Sequence, residues 1–301
     1  MLRQVLIPLD GTRLAEAVLP LAASLAEKAK ARVSLLHVLE RAARPSVHGQ
    51  PHLTTADEAQ GYLERIVREE FPPGVAVDWH VHRRPVGDVA HSLADHAEEL
   101  EPDLIVMLAH GRPTIGQRLF GTVPQQVIRQ TSTPVLLVHA APDRPAPDAF
   151  RQLAVSLDGR AEHEVALPLA AELAGLYAAP VRLVMAIPTR GMLSGSPSAV
   201  GQLLPAATTE VLDLAELQGV EYLREQVERL QAAGVAAAAT IARGDPADVL
   251  SQAIVQSGAD LVALGTHGAA GTAAFWSGSM GQKLLDRVSA SFLLVPAPAA
   301  P

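Results

Sequence analysis

The sequence predicts an α/β protein built as two tandem doubly wound domains, each a five-stranded parallel sheet with helices on both faces. Three observations predict it. Short apolar runs alternate along the chain with stretches of helical periodicity, the pattern of a parallel sheet crossed by helices. The 301 residues suit two domains. An internal repeat then divides the chain: residues 16–26, EAVLPLAASLA, match 164–174, EVALPLAAELA, at eight of eleven positions. The same offset of 148 residues aligns Leu9-Asp10-Gly11 with Leu157-Asp158-Gly159, and an offset of 157 aligns His110-Gly111 with His267-Gly268. The predicted units are 1–141 and 151–301, joined by a linker over 142–150. Pro142, Pro145 and Pro147 and their polar neighbours read as exposed chain.

In the first unit, residues 4–9 form an apolar run suited to a strand buried on both faces. Helical periodicity covers 13–30, followed by a strand over 33–39, a helix over 56–70 and a strand over 75–81. A helix over 86–99, a strand over 104–108, a helix over 124–130 and a strand over 135–139 complete it. The second unit repeats this with strands near 153–157, 181–187, 236–241, 261–264 and 292–295. Pro20 and Pro168 fall inside the first helix of each unit, so a kink is expected at the same place in both; an early helix break is the alternative. Residues 188–212, rich in Gly, Ser, Pro and Ala, read as a long loop, either a lid beside the site or a mobile insertion.

Composition removes several function classes. Without cysteine there is no disulfide framework, thiolate metal site or cysteine nucleophile. A net charge of −8, spread over both halves without a basic block, argues against nucleic-acid binding. No apolar run approaches the roughly 20 residues of a membrane span. The opening MLRQVLIPLD reads as a strand and not as a signal peptide, so a cytoplasmic protein is expected.

The chemistry lies where ligands bind in open parallel sheets, beyond the carboxyl ends of the strands at the point where strand order reverses. After the strand at 261–264 the chain reads G-x2-G-x9-G-S, with Gly265, Gly268, Gly278 and Ser279. Gly265 and Gly268 permit a sharp turn and close backbone approach. Gly278-Ser279 opens the final helix, whose free N–H groups favour an anion. No Lys or Arg falls between Gly265 and Gln282, so phosphates would rest on backbone N–H groups, with Mg²⁺ as a further counter-charge. The Walker A loop and the G-x-G-x-x-G fingerprint are both missing. Asp10 and Asp158, each closing a first strand, can accept from an adenine amino group or ribose hydroxyl, or cap the next helix.

The stretches VLIPLDG (5–11), SLLHVLE (34–40), TPVLLVHA (133–140), GDPADVL (244–250) and ADLVALGTHG (259–268), with Gly278-Ser279, resemble the universal stress proteins of the tandem, two-domain type along nearly the whole chain. The resemblance implies the strand order 3-2-1-4-5 in each domain, pairing of domains through their last strands, and ATP binding wherever G-x2-G-x9-G-[ST] is intact. It implies that Asp158 contacts adenine or ribose, that the backbone of Ala186 faces adenine, and that Gly265, Gly268, Gly278 and Ser279 hold ribose and phosphates. Ser156, Leu157, Leu264, His267 and Met280 complete the implied set. In the first domain the corresponding positions are Pro8, Leu9, Asp10, Val38, Gly111, Gly121 and Thr122, but Leu108 stands where Gly265 does and should crowd the ligand. The expected function is therefore a stress-response sensor or regulator that binds ATP mainly in its C-terminal domain, with Mg²⁺ carried by the nucleotide and at most slow hydrolysis. A homodimer or an intramolecular pseudo-dimer is expected. The rival readings are a nucleotide-free dimerisation module and, less favoured, a nucleotidyl transferase or ATP pyrophosphatase.

No catalytic residue is assigned, for no triad signature occurs. His80 and His82 share one face of a strand, but two ligands do not make a metal site, and a solvated strand face is preferred. His110 and His267, within the glycine loops, read as loop-orienting residues, and Phe275 and Trp276 as packing or dimer-surface residues rather than base-stacking ones.

Overall fold

The computed structural model describes residues 1–41, 43, 46–47, 49–109, 113–114, 117–118, 122–140, 146–192, 203–266, 284 and 287–297. The first half runs β1 (Gln4–Pro8), α1 (Arg13–Glu16), α2 (Leu19–Ala29), β2 (Arg32–Glu40), α3 (Ala56–Glu70), β3 (Val77–Val86), α4 (Val89–Leu100), β4 (Leu104–Ala109), α5 (Thr122–Gln130) and β5 (Val135–His139). The second runs β6 (Leu153–Ser156), a 3-10 turn (Ala161–His163), α6 (Ala166–Tyr177), β7 (Val181–Ile187), α7 (Pro205–Ala232), β8 (Ala237–Arg243), α8 (Pro246–Ser257), β9 (Leu261–Thr266) and β10 (Ser291–Pro296). Each half forms a parallel sheet in the order 3-2-1-4-5, as the sequence resemblance implies. The halves join through β5 and β10, which pair antiparallel, into one sheet ordered β3-β2-β1-β4-β5-β10-β9-β6-β7-β8. Among the described residues no helix is long and apolar enough to cross a membrane. Residues 142–145 of the expected linker lie outside the described residues. At the linker's far end Phe150 is buried edge-on against Tyr177, the ring centroids 5.6 Å apart.

The expected proline kinks are helix breaks instead. The first helix divides into α1 and α2, with Pro20 in the first turn of α2; the second half divides into the 3-10 turn and α6, with Pro168 as its third residue. Proline lacks the N–H that an interior position must donate and its ring crowds the carbonyl four residues back. In a first turn that N–H has no intrahelical partner to lose. The expected loop over 188–212 is also shorter. A 3-10 turn at Arg190–Met192 precedes residues 193–202, which lie outside the described residues, and α7 begins at Pro205. Thr208, Leu212, Gly219, Leu223, Gln226 and Leu230 form its buried face. Side chains cap the helix starts: Thr55 and Glu58 form a reciprocal capping box on α3, and Asp88 and Asp245 accept from the first N–H groups of α4 and α8.

Helices α1, α2, α3, α6 and α7 cover one face of the sheet, and α4, α5 and α8 the other. The best-matched repeat segments, in α2 and α6, pack on one another across the junction. The Tyr177 hydroxyl donates to Ser24 at 3.4 Å, and Lys28 lies over the Tyr177 ring at 5.5 Å.

Candidate functional site

The order 3-2-1-4-5 puts the reversal between the first and fourth strands of each half. In the C-terminal half these are β6 and β9, paired from Leu153 with Leu261 to Ser156 with Leu264. Leu157 continues beyond β6, its N–H donating to the Val184 carbonyl at 3.0 Å, and Asp158 follows. Gly265 stands in β9 beside Val295 of β10. Ser156, Leu157, Asp158, Leu264 and Gly265 therefore gather at one switch point. Ala186 lies on the next strand, in β7, against Ala242 of β8. His267, Gly268, Gly278, Ser279 and Met280 lie outside the described residues, as do Phe275 and Trp276.

Asp158 is held from within its own turn. One carboxylate oxygen accepts the Arg160 N–H at 3.1 Å, and the other lies 2.7 Å from Nδ1 of His163. A carboxylate only accepts, so Nδ1 carries the proton. The next residue, Glu164, accepts from the Tyr222 hydroxyl of α7 at 2.8 Å, and burial beside that carboxylate pushes the phenol pKa up. The turn also rests on Gly265, where a Cβ would stand 2.6 Å from the His163 carbonyl oxygen. Among the described residues, the His163 backbone is what a side chain at Gly265 would meet.

The N-terminal switch point has the same frame and different filling. Pro8 ends β1 opposite Leu36, and Leu9 N–H donates to the Leu36 carbonyl at 2.9 Å. Asp10 accepts from the Thr12 N–H at 2.9 Å and its hydroxyl at 2.6 Å. Val38 pairs with His82 of β3. Leu108 is buried in the core with Leu9 and Ala15. Leu53 lies against Gly11, and Gln50 accepts from the Arg13 N–H at 2.8 Å, so the segment after β2 lies over the end of β1. His37 is buried beneath it: Nδ1 donates to the Leu9 carbonyl at 2.8 Å, Nε2 has no hydrogen-bond partner among the described residues, and burial lowers its pKa. His110, Gly111 and Gly121 lie outside the described residues, and Thr122 opens α5.

Two features escaped sequence reading. Tyr62-Leu63 and Tyr222-Leu223 repeat at an offset of 160 and set a tyrosine near Glu16 and Glu164 respectively, a doublet short enough to pass unnoticed. His80 and His82 do not form a simple solvated face. His82 meets His96 of α4 at 3.0 Å, His96 meets Glu99 at 3.0 Å, and the rings of His80 and His96 stand 4.9 Å apart. Among the described residues no group of three or more His, Asp or Glu is arranged to hold a metal ion.

Comparison with known proteins agrees with this architecture. The family model described as "Universal stress protein family" matches residues 1–139 and again 149–296. A universal stress protein of Synechocystis, Sll1388, is 26% identical over 152 residues, covering 45% of this chain and 97% of that protein. Two solved structures, among others, share the fold along 98% of this chain. One is a protein of unknown function from Pseudomonas aeruginosa, with a TM-score of 0.66, 18% identity and 93% of its own length covered. The other is a universal stress protein from Archaeoglobus fulgidus, with a TM-score of 0.66, 14% identity and 96% covered. With the family model matched in both halves, the chain belongs to the universal stress protein family as a tandem of two such domains.

Proposed function

We propose that this chain binds ATP, as its Mg²⁺ complex, in the C-terminal half and acts as a stress-response regulator with at most slow hydrolysis. The observation that carries the reading is a coincidence at one switch point. Asp158, a half-exposed acceptor, follows the end of the first strand, beside the strand that leads into G-x2-G-x9-G-S. Ser156, Leu157, Asp158, Ala186, Leu264 and Gly265, with His267, Gly268, Gly278, Ser279 and Met280, form the proposed set. Backbone N–H groups of the Gly278-Ser279 segment would hold phosphate, since no Lys or Arg falls between Gly265 and Gln282. The N-terminal half is the weaker candidate, because Leu53 and Gln50 already lie over the end of β1 and the position matching Gly265 is Leu108.

The test is to denature protein purified without added nucleotide, identify what is released by mass spectrometry, and measure thermal unfolding with and without Mg-ATP. About one ATP per chain is expected, with loss in Gly268→Val. Ligand at 100 times its dissociation constant should add about 2.7 kcal/mol of stability. No released nucleotide and no thermal shift would overturn the proposal.

A further inference from the structure

We infer that His163 is the positioning residue of the C-terminal site, orienting the Asp158 carboxylate toward the hydrogen-bond donors of a nucleoside. The inference rests on the nucleotide reading above and adds a residue that no glycine motif contains. The two halves act as each other's control. In the N-terminal half the matching acid, Asp10, is satisfied locally by Thr12, whose hydroxyl also caps α1 by accepting from the Ala15 N–H at 3.1 Å. In the C-terminal half Arg160 replaces Thr12 and His163 replaces Ala15. In the N-terminal half an α-helical turn, capped by Thr12, forms at this place with alanine in it, while the C-terminal 3-10 turn has no side-chain cap; the repeat itself therefore does not require an imidazole at this position.

What His163 adds is orientation. Its side chain is 17% exposed and the Asp158 side chain 42%, so the ring stands behind a carboxylate that still faces solvent. The Arg160 N–H and the imidazole N–H occupy one acceptor position on each oxygen, and Nε of the exposed Arg160 side chain lies beyond hydrogen-bond reach, 3.7 Å from the oxygen that the imidazole holds. A carboxylate offers about four such positions, which leaves acceptor capacity for a ligand hydroxyl or amino group. The backbone of the same residue closes on Gly265, and Glu164 ties the turn to Tyr222. Acid, turn and first motif glycine are thus one mechanical unit in this half. A group whose rotamer is fixed beforehand loses less entropy when it binds.

The experiment is calorimetric titration of the full chain with Mg-ATP, using wild type, His163→Ala, His163→Asn, Asp158→Asn and the His163→Ala/Asp158→Asn double variant, each checked by thermal unfolding. His163→Ala should weaken binding about ten-fold, the size of one charge-assisted hydrogen bond. His163→Asn, whose amide nitrogen approximates the Nδ1 position, should stay within about two-fold of wild type. The double variant should bind no more weakly than Asp158→Asn, because the two residues act as one. Wild type failing to bind Mg-ATP would overturn the nucleotide reading, and this inference with it. Wild type binding while His163→Ala binds equally well would overturn this inference alone. So would losses that multiply in the double variant without rescue by asparagine. Should the alanine variant not fold, weakened binding by the folded asparagine variant would overturn the inference and retained binding would support it.

Discussion

At the scale of single residues, the two halves solve the same positions differently, and the differences have measurable costs. A Cβ at Gly265 would meet a backbone carbonyl, which cannot swing aside like a flexible side chain. Gly265→Ala should therefore cost about 1–3 kcal/mol in urea unfolding without any nucleotide present. A Gly219→Ala change, which meets flexible side-chain atoms of Met185, Ile241 and Ile187 and no backbone, should cost less. An equal, negligible effect of both would contradict this packing. His37 gives a pH prediction. Burial lowers its folded-state pKa, while in the unfolded chain it titrates near the usual value of about 6.5. The unfolded state then binds more protons as the pH falls, so this contribution to stability is intact above about 6.5 and declines below it. The position matching His37 in the other half is Met185. His37→Met should fold and should narrow the drop in melting temperature between pH 7 and pH 5; an unchanged drop would assign the acid sensitivity elsewhere. The strand-end acids and the glycine motif were legible in sequence because they are local patterns. The packing of Gly265 on His163 was not, because it joins residues about a hundred positions apart.

At the scale of elements, starts and stops follow chemistry that sequence reading resolves well in some places and poorly in others. The helix Ala56–Glu70 and the strands Val135–His139 and Val181–Ile187 fall where periodicity puts them. The proline breaks were an open choice because a kinked and a divided helix bury the same stripe. The early start of α7 was hidden by its exposed apolar residues, Val211, Leu214 and Leu217, which blur the helical periodicity. Helix caps recur between halves: Asp88 accepts from the His91 N–H, and Asp245 from those of Ala247 and Asp248. Asp245→Ala should destabilise by about 1 kcal/mol in denaturant unfolding, and Asp245→Asn, which keeps an acceptor, by much less. Equal losses for the two would point to charge at the helix terminus rather than the cap.

At the scale of the whole molecule, the junction decides whether the chain is two domains on a tether or one body. Strands β5 and β10 are buried through most of their length, and Leu137 pairs with Phe292, Leu136 with Leu293 and Val135 with Leu294 at the centre of the sheet. His139 N–H donates to the Ser291 hydroxyl at 3.1 Å, and α2 packs on α6 over the same seam. Separating the halves would expose an apolar edge strand on each, a template for pairing with another chain. The two edges are antiparallel partners related by a pseudo-twofold axis, so each edge is close to complementary to a second copy of itself. Fragments 1–146 and 147–301, produced together, should therefore co-elute as one complex of the intact chain's mass by size exclusion with light scattering. Either fragment alone should form dimers or larger species. Leu293→Arg in the C-terminal fragment should abolish the pairing, since a charge buried at the seam has no partner there. Stable monomeric fragments that ignore one another would mean that the covalent link, and not the continuous sheet, holds the halves together.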